Sequence, residues 1–133
     1  LVELVDLYPT VLGILKLETP HAMEGLSLLP LLKDPERPWK TAAFCQYPRS
    51  VGEDELERKA WDLMGYTIRT ERYRLTRWDS VYVDGQVEGL ELYDHSVDPE
   101  ENFNVARESR YAHIVKELSH RLDQGWKAAL PSN

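Results

Sequence analysis

Met64-Gly65-Tyr66-Thr67-Ile68-Arg69-Thr70-Glu71-Arg72-Tyr73-Arg74-Leu75-Thr76-Arg77-Trp78 is the stretch that decides the fold. Side chains alternate between the two faces of a strand. With Glu71-Arg72 as the turn, Thr70 faces Tyr73, Ile68 faces Leu75 and Tyr66 faces Arg77. That face is mostly apolar and is expected to be core. The opposite face pairs Arg69 with Arg74, Thr67 with Thr76, and Gly65 with Trp78. Glu71-Arg72 is not one of the favoured two-residue turns, so the side-chain pattern alone carries this register.

Working outward, residues 41–47 read as a strand stopped by Pro48. Asp84-Gly85 marks a turn between Val81-Tyr82-Val83 and Gln86-Val87, and residues 90–93 make a further short strand. Tyr111, Ile114, Val115, Leu118, Leu122, Trp126 and Leu130 form a helical stripe over about five turns, ended by Pro131. These elements predict an α+β fold: a small antiparallel sheet of about four strands, covered on one face by a long C-terminal helix. Upstream, Leu7, Val11, Leu12, Ile14 and Leu15 recur at helical spacing over residues 6–17. Pro9 is tolerated in a first turn, Asp6 is the expected N-cap, and Thr19-Pro20 closes the helix. The prolines of residues 21–39 exclude a long helix there, and the leucines suggest a connection pinned onto an apolar surface. Residues 50–62 are acidic and read as an exposed loop or short helix.

The chain has 133 residues, 42% hydrophobic and 29% charged, the usage of one ordinary folded domain. Sixteen basic residues against twenty-three acidic ones give a net charge of −7. That balance argues against non-specific nucleic-acid binding, which needs a basic footprint. No apolar run approaches the ~20 residues of a membrane-spanning helix. The single cysteine, Cys45, excludes an internal disulfide and any multi-cysteine metal site. Leu1-Val2-Glu3-Leu4-Val5 is an interior-type run where a frayed polar end is usual. It points to a chain that starts inside something larger, the alternative being a docked N-terminal strand. In the first case residues 1–32 expose an apolar patch. Self-association is then expected through Leu12, Leu15, Leu28, Leu29 and Leu32.

Few residues gather into a chemical constellation. The seven glycines are scattered and form no phosphate-cradling loop. His113, Glu117 and His120 share roughly one helical face. The two imidazoles stand two turns apart, about 10 Å, which suits a solvated face better than a metal site. Asp94 and His95 are neighbours on a strand and point to opposite faces, so they do not form a dyad. Cys45 lies in a predicted strand, where a buried inert thiol is expected. The hairpin is the stronger polar signal. Between Thr67 and Trp78 stand Arg69, Arg72, Arg74 and Arg77 against the single acid Glu71. Arg69 and Arg74, side by side, need an anion near them. An Asp or Glu from a neighbouring element is the simpler supplier, and a bound sulfate, carboxylate or phosphate is the alternative.

Three motifs resemble the C-terminal region of the sulfatase family. Leu4-Val5-Asp6-Leu7-Tyr8-Pro9-Thr10 is similar to the family's v-D-l-x-P-T helix start. Gly25-Leu26-Ser27-Leu28-Leu29-Pro30-Leu31-Leu32 matches its G-x-S-L-x-P-L-L segment. Glu91-Leu92-Tyr93-Asp94 with Asp98-Pro99-Glu100-Glu101-Asn102 is similar to its E-L-Y-D … D-P-x-E-x-x-N. Within the family, Gln46-Tyr47-Pro48-Arg49 and residues 64–70 most resemble iduronate-2-sulfatases, a likeness shared by bacterial sulfatases of other specificities.

The resemblance implies that residues 1–38 end a large alkaline-phosphatase-like domain and its connection. Residues 39–133 are then the smaller C-terminal α+β subdomain. It implies a partner, the N-terminal sulfatase domain, and a sulfated glycan substrate for the whole protein. Formylglycine and calcium are implied in that other domain, with an exported or lysosomal address. This chain is expected to hold no cofactor and no catalytic residue. Cys45-Gln46-Tyr47-Pro48-Arg49 has one residue too many before its proline for the formylglycine motif C/S-x-P-x-R. Gln46, Tyr47 and Arg49 are implied as substrate-side residues: Tyr47 for a sugar ring, Arg49 for a carboxylate or for a buried ion pair. A free-standing α+β module binding an anionic ligand through Arg69 and Arg74 is the alternative.

Overall fold

A computed structural model describes residues 1–18, 23–50 and 62–131. Four antiparallel strands, β1 (Ala43–Arg49), β2 (Leu63–Arg69), β3 (Tyr73–Ser80) and β4 (Val87–Asp94), lie in the order β1-β2-β3-β4. The expected hairpin register holds at every position: Ile68 faces Leu75, Tyr66 faces Arg77 and Arg69 faces Arg74. Glu71 and Arg72 make the turn, closed by the Thr70 N–H donating to the Tyr73 carbonyl at 2.8 Å.

One row of side chains crosses the whole sheet on the inner face: Phe44, Ile68, Leu75 and Leu92. The last three are fully buried. Three α-helices accompany the sheet: α1 is Leu7–Leu15, α2 is Leu29–Lys33, and the C-terminal helix α3, Ala112–Gln124, covers this row. Leu118 of α3 is buried in the same cluster, with Ile114, Val115 and Leu122 packed around it.

Several expectations are corrected by the structure. The strand expected to stop at Pro48 runs through it to Arg49. β1 is an edge strand, where proline's missing N–H costs no ladder bond. Residues 90–93 are not a separate strand but part of β4, which pairs with β3 through a bulge at Trp78/Asp79. Val81-Tyr82-Val83 lie outside any strand. The last helix ends at Gln124. Gly125, at φ 76°, takes a conformation that favours glycine, and a 3-10 turn, Trp126–Ala129, follows. Trp126 therefore leaves the core and stands beside Tyr66 in a surface groove. Cys45 is exposed, not buried. Of the two readings open for residues 1–5, a buried strand or the lead-in to a helix, the second holds: Leu4–Asp6 is a 3-10 turn running into α1, with Leu4 85% exposed. The acidic segment 51–61 and the Thr19-Pro20 stop lie outside the described residues.

Helix α1 carries no charged residue. Pro9, Thr10 and Leu12 face inward, while Leu7, Tyr8, Val11, Ile14 and Leu15 are exposed. Of the other leucines expected in an apolar patch, Leu32 is exposed and Leu28 and Leu29 are half-buried.

Candidate functional site

Asp6 does not cap α1 with its side chain, as its position suggested. Its carboxylate is fully buried and faces the other way. It accepts from the Leu26 N–H at 2.8 Å, the Glu3 N–H at 3.0 Å and the Lys40 ammonium at 2.7 Å. Lys40 also reaches Glu3 at 2.6 Å, and the other Glu3 oxygen accepts from the Phe44 N–H at the start of β1. Thr10 continues the same tie by accepting from the Leu28 N–H at 2.8 Å. Gly25 is required here: a Cβ would lie 2.0 Å from the Val5 carbonyl oxygen. The Asp6/Thr10 motif and the Gly25-Leu26-Ser27-Leu28 motif are thus two halves of one clasp. Lys40 locks that clasp, and Glu3, through the Phe44 N–H, fastens it to the sheet.

The segment after β4 is a second clasp. Asp94 is buried and accepts two bonds from Arg72, at 2.8 and 2.7 Å, with further bonds from Ser96 and Tyr111. Asp98 accepts from the Phe103 N–H, and Asn104 accepts from the Leu92 N–H on β4. Glu101 stands at φ 57°, a region non-glycine residues seldom adopt. That conformation brings its carboxylate to both Arg74 and His95.

The Arg72 guanidinium holds the Asp94 carboxyl well below the usual carboxylate range; burial opposes it and the Ser96 bonds add to it. A group whose folded pKa is depressed contributes stability that is present above its unfolded value, about 3.9, and lost as pH falls towards the folded one. Acid unfolding monitored below about pH 4 should therefore become shallower in Asp94→Asn, on top of its lower stability at neutral pH. An unchanged acid limb would sink this assignment.

The residues singled out in the sequence do not all meet. Tyr47 and Arg49 lie on the sheet face turned away from α3, whereas Gln46 lies on the α3 face. Gln46 lines a groove with Tyr66, Arg77 and Trp126. Tyr47 is 65% exposed. The Arg49 guanidinium stands 5.5 Å from the centre of the Trp78 ring. Trp78 has room to lie flat because its cross-strand neighbours are Gly65 and Gly89, and a Cβ on Gly65 would come 2.6 Å from its ring. Arg69 and Arg74 do stand opposite each other. Glu101, unassigned in the sequence reading, supplies the acid to Arg74 in a two-point pair, Arg74 Nε to Glu101 Oε1 at 2.7 Å and Nη2 to Oε2. Among the described residues no group of three or more His, Cys, Asp or Glu is arranged to hold a metal.

Sheet, covering helix and the two clasps make up one α+β unit. Residues 1–128 match the family described as N-sulphoglucosamine sulphohydrolase, C-terminal, and the chain belongs to that family. It is 29% identical over 126 residues to an N-acetylglucosamine-6-O-sulfatase of Bacteroides thetaiotaomicron, covering 92% of this chain and 21% of that protein. It is 31% identical over 141 residues to human iduronate 2-sulfatase, covering 83% of this chain and 26% of that protein. A protein solved in complex with its substrate D-glucosamine-2-N,6-O-disulfate superposes with a TM-score of 0.68 at 29% identity, over 92% of this chain and 23% of that one. The chain thus spans about a fifth to a quarter of the length of these relatives.

Proposed function

We propose that the protein containing this chain is a sulfatase acting on sulfated sugars, with an iduronate-2-sulfatase-like preference. In this reading residues 1–38 close the large catalytic domain and residues 39–133 are the subdomain that walls the substrate cleft. The family match over residues 1–128 carries the reading. Helix α1 supports it, since a helix apolar all round is normally buried on every side and here one side is open. Formylglycine and calcium are assigned to the large domain. The described residues of this chain offer no metal cluster, and Cys45-Gln46-Tyr47-Pro48-Arg49 does not fit C/S-x-P-x-R.

Tyr47 is the residue proposed to meet a sugar ring, because it is open and stands at the edge of the sheet. Arg49, already stacked on Trp78, holds the end of β1 in place. Gln46 belongs to the groove on the other side and is proposed to touch substrate only if the cleft reaches round the edge.

The test is sulfate release by the full-length protein, with its formylglycine formed. Disaccharides sulfated at the uronate 2-position and at the glucosamine 6-position are compared, and residues 1–133 alone are assayed in parallel. Release from the 2-sulfated uronate by the full-length protein, and none by the isolated chain, is expected. Preference for the 6-sulfated sugar overturns the iduronate-like assignment. Inactivity on both, with formylglycine verified by mass, overturns the sulfatase reading. The isolated chain is also expected to self-associate through residues 1–32, where α1 lacks its cover; a monomer in sedimentation would contradict that.

A further inference from the structure

One row of the sheet face turned away from α3 runs Tyr47, Gly65, Trp78, Gly89 across all four strands. The Trp78 ring lies over Gly65, where a Cβ would come 2.6 Å from it. Its indole N–H donates to Glu91 at 2.9 Å, which fixes the ring against rotation. The Arg49 guanidinium stands over this ring, 5.5 Å from its centre. That contact uses a face of the guanidinium, whereas its five N–H donors lie in the plane, at the edges. Arg72, Arg74 and Arg77 each hold a carboxylate. Arg49 is exposed, and its donors have no hydrogen-bond or ion-pair partner among the described residues. Tyr47 and Arg49 are two residues apart on β1 and share one face. Their Cα atoms are therefore about 7 Å apart. That spacing suits a sugar ring against Tyr47 with a charged group, one bond outside the ring, at Arg49.

We propose that Trp78 is a positioning residue for substrate choice: it holds the Arg49 guanidinium so that its N–H fork takes the carboxylate of the uronate ring that Tyr47 meets. The inference rests on the sulfatase reading and deepens it. A carboxylate fits a planar fork through two parallel bonds. A sulfated uronate has two anionic groups. Its ester belongs with the groups assigned to the large domain, which leaves the carboxylate for Arg49. A glucosamine ring has no carboxylate, so the same fork separates the two sugars compared above. Without the ring beneath it, a long arginine side chain spreads over many rotamers and the fork loses its aim.

The test is calorimetric binding to the full-length protein of two unsulfated disaccharides. One keeps the uronate carboxylate; in the other it is reduced to a hydroxymethyl group. Neither carries a sulfate ester, so nothing is turned over. The readout is the ratio of the two affinities. The unaltered protein should favour the carboxylate by about tenfold, the worth of one charge-assisted pair. Arg49→Ala should bring the ratio to about one, and Trp78→Leu to about two, since the guanidinium remains but is no longer held. Trp78→Phe keeps an aromatic face and should restore most of the preference. A merely structural role for Trp78 would weaken both ligands together and leave the ratio unmoved, which overturns the inference. Trp78→Phe falling as far as Trp78→Leu overturns the part given to the ring face. A ratio near one in the unaltered protein, or no binding of either ligand, overturns the carboxylate site, in favour of the sulfate ester or an acid elsewhere in the protein as the partner of Arg49. An inactive protein that keeps the ratio fails the sulfatase reading alone, and an active one that lacks it fails this inference alone.

Discussion

Asp6→Ala is expected to cost the protein about 3–5 kcal/mol of unfolding free energy, the range for removing one partner of a buried ion pair. Three groups lose their acceptor at once: the Lys40 ammonium and the N–H groups of Glu3 and Leu26. Lys40 is 2% exposed at its side chain, so water cannot replace what is lost, and Glu3 alone remains to neutralise it. Against a usual total of about 5–15 kcal/mol, the effect is large. The pair can be separated from its surroundings by the double variant Asp6→Ala with Lys40→Met. Removing both charges should recover part of the loss, because no buried cation is then left without its acid. Urea unfolding of the single and double variants measures both. A single-variant loss below about 1 kcal/mol, the value of an exposed pair, would mean that the clasp is wet and does not tie α1 to the sheet.

This clasp also shows where the sequence stops being legible. The hairpin register was readable because a strand alternates with period two and Ile68, Leu75, Thr67 and Thr76 mark the faces locally. The role of Asp6 was not readable in the same way. A Ser, Thr, Asp or Asn before a helix is an N-cap by local rules. Here its partners lie 20 and 34 residues away in the chain, and tertiary contact overrides the local preference. The acid needed beside Arg69 and Arg74 was foreseeable as a type but not as Glu101, which stands 27 residues beyond Arg74 and depends on an uncommon backbone angle. Pro48 misled because a proline's effect on a strand depends on whether the strand lies at an edge, which only the assembled sheet decides. Trp126 kept the helical period of the stripe, but Gly125 breaks the helix before it. The motifs that resemble sulfatases are therefore mostly ties between distant segments, not chemistry.

Leu118→Ala is expected to cost about 2–5 kcal/mol, the span measured for truncating buried leucines. Leu118 is 2% exposed and belongs to the cluster that contains Ile68, Leu75 and Leu92. Those three strand residues form the flat inner row of the sheet, so the gap left by three missing carbons has a β-sheet floor. A hydrogen-bonded sheet cannot collapse into such a gap without breaking its ladder, which places the expected loss in the upper part of the range. Ile114, Val115 and Leu122 flank the site on α3 and are only partly buried, so the helix retains some hold. Leu118→Met keeps the volume and should cost less than about 1.5 kcal/mol. A large gap between the two variants identifies packing against the sheet as the cause, since both keep helix propensity high. If thermal melts of Leu118→Ala and the unaltered protein coincide, α3 does not cover the sheet as described.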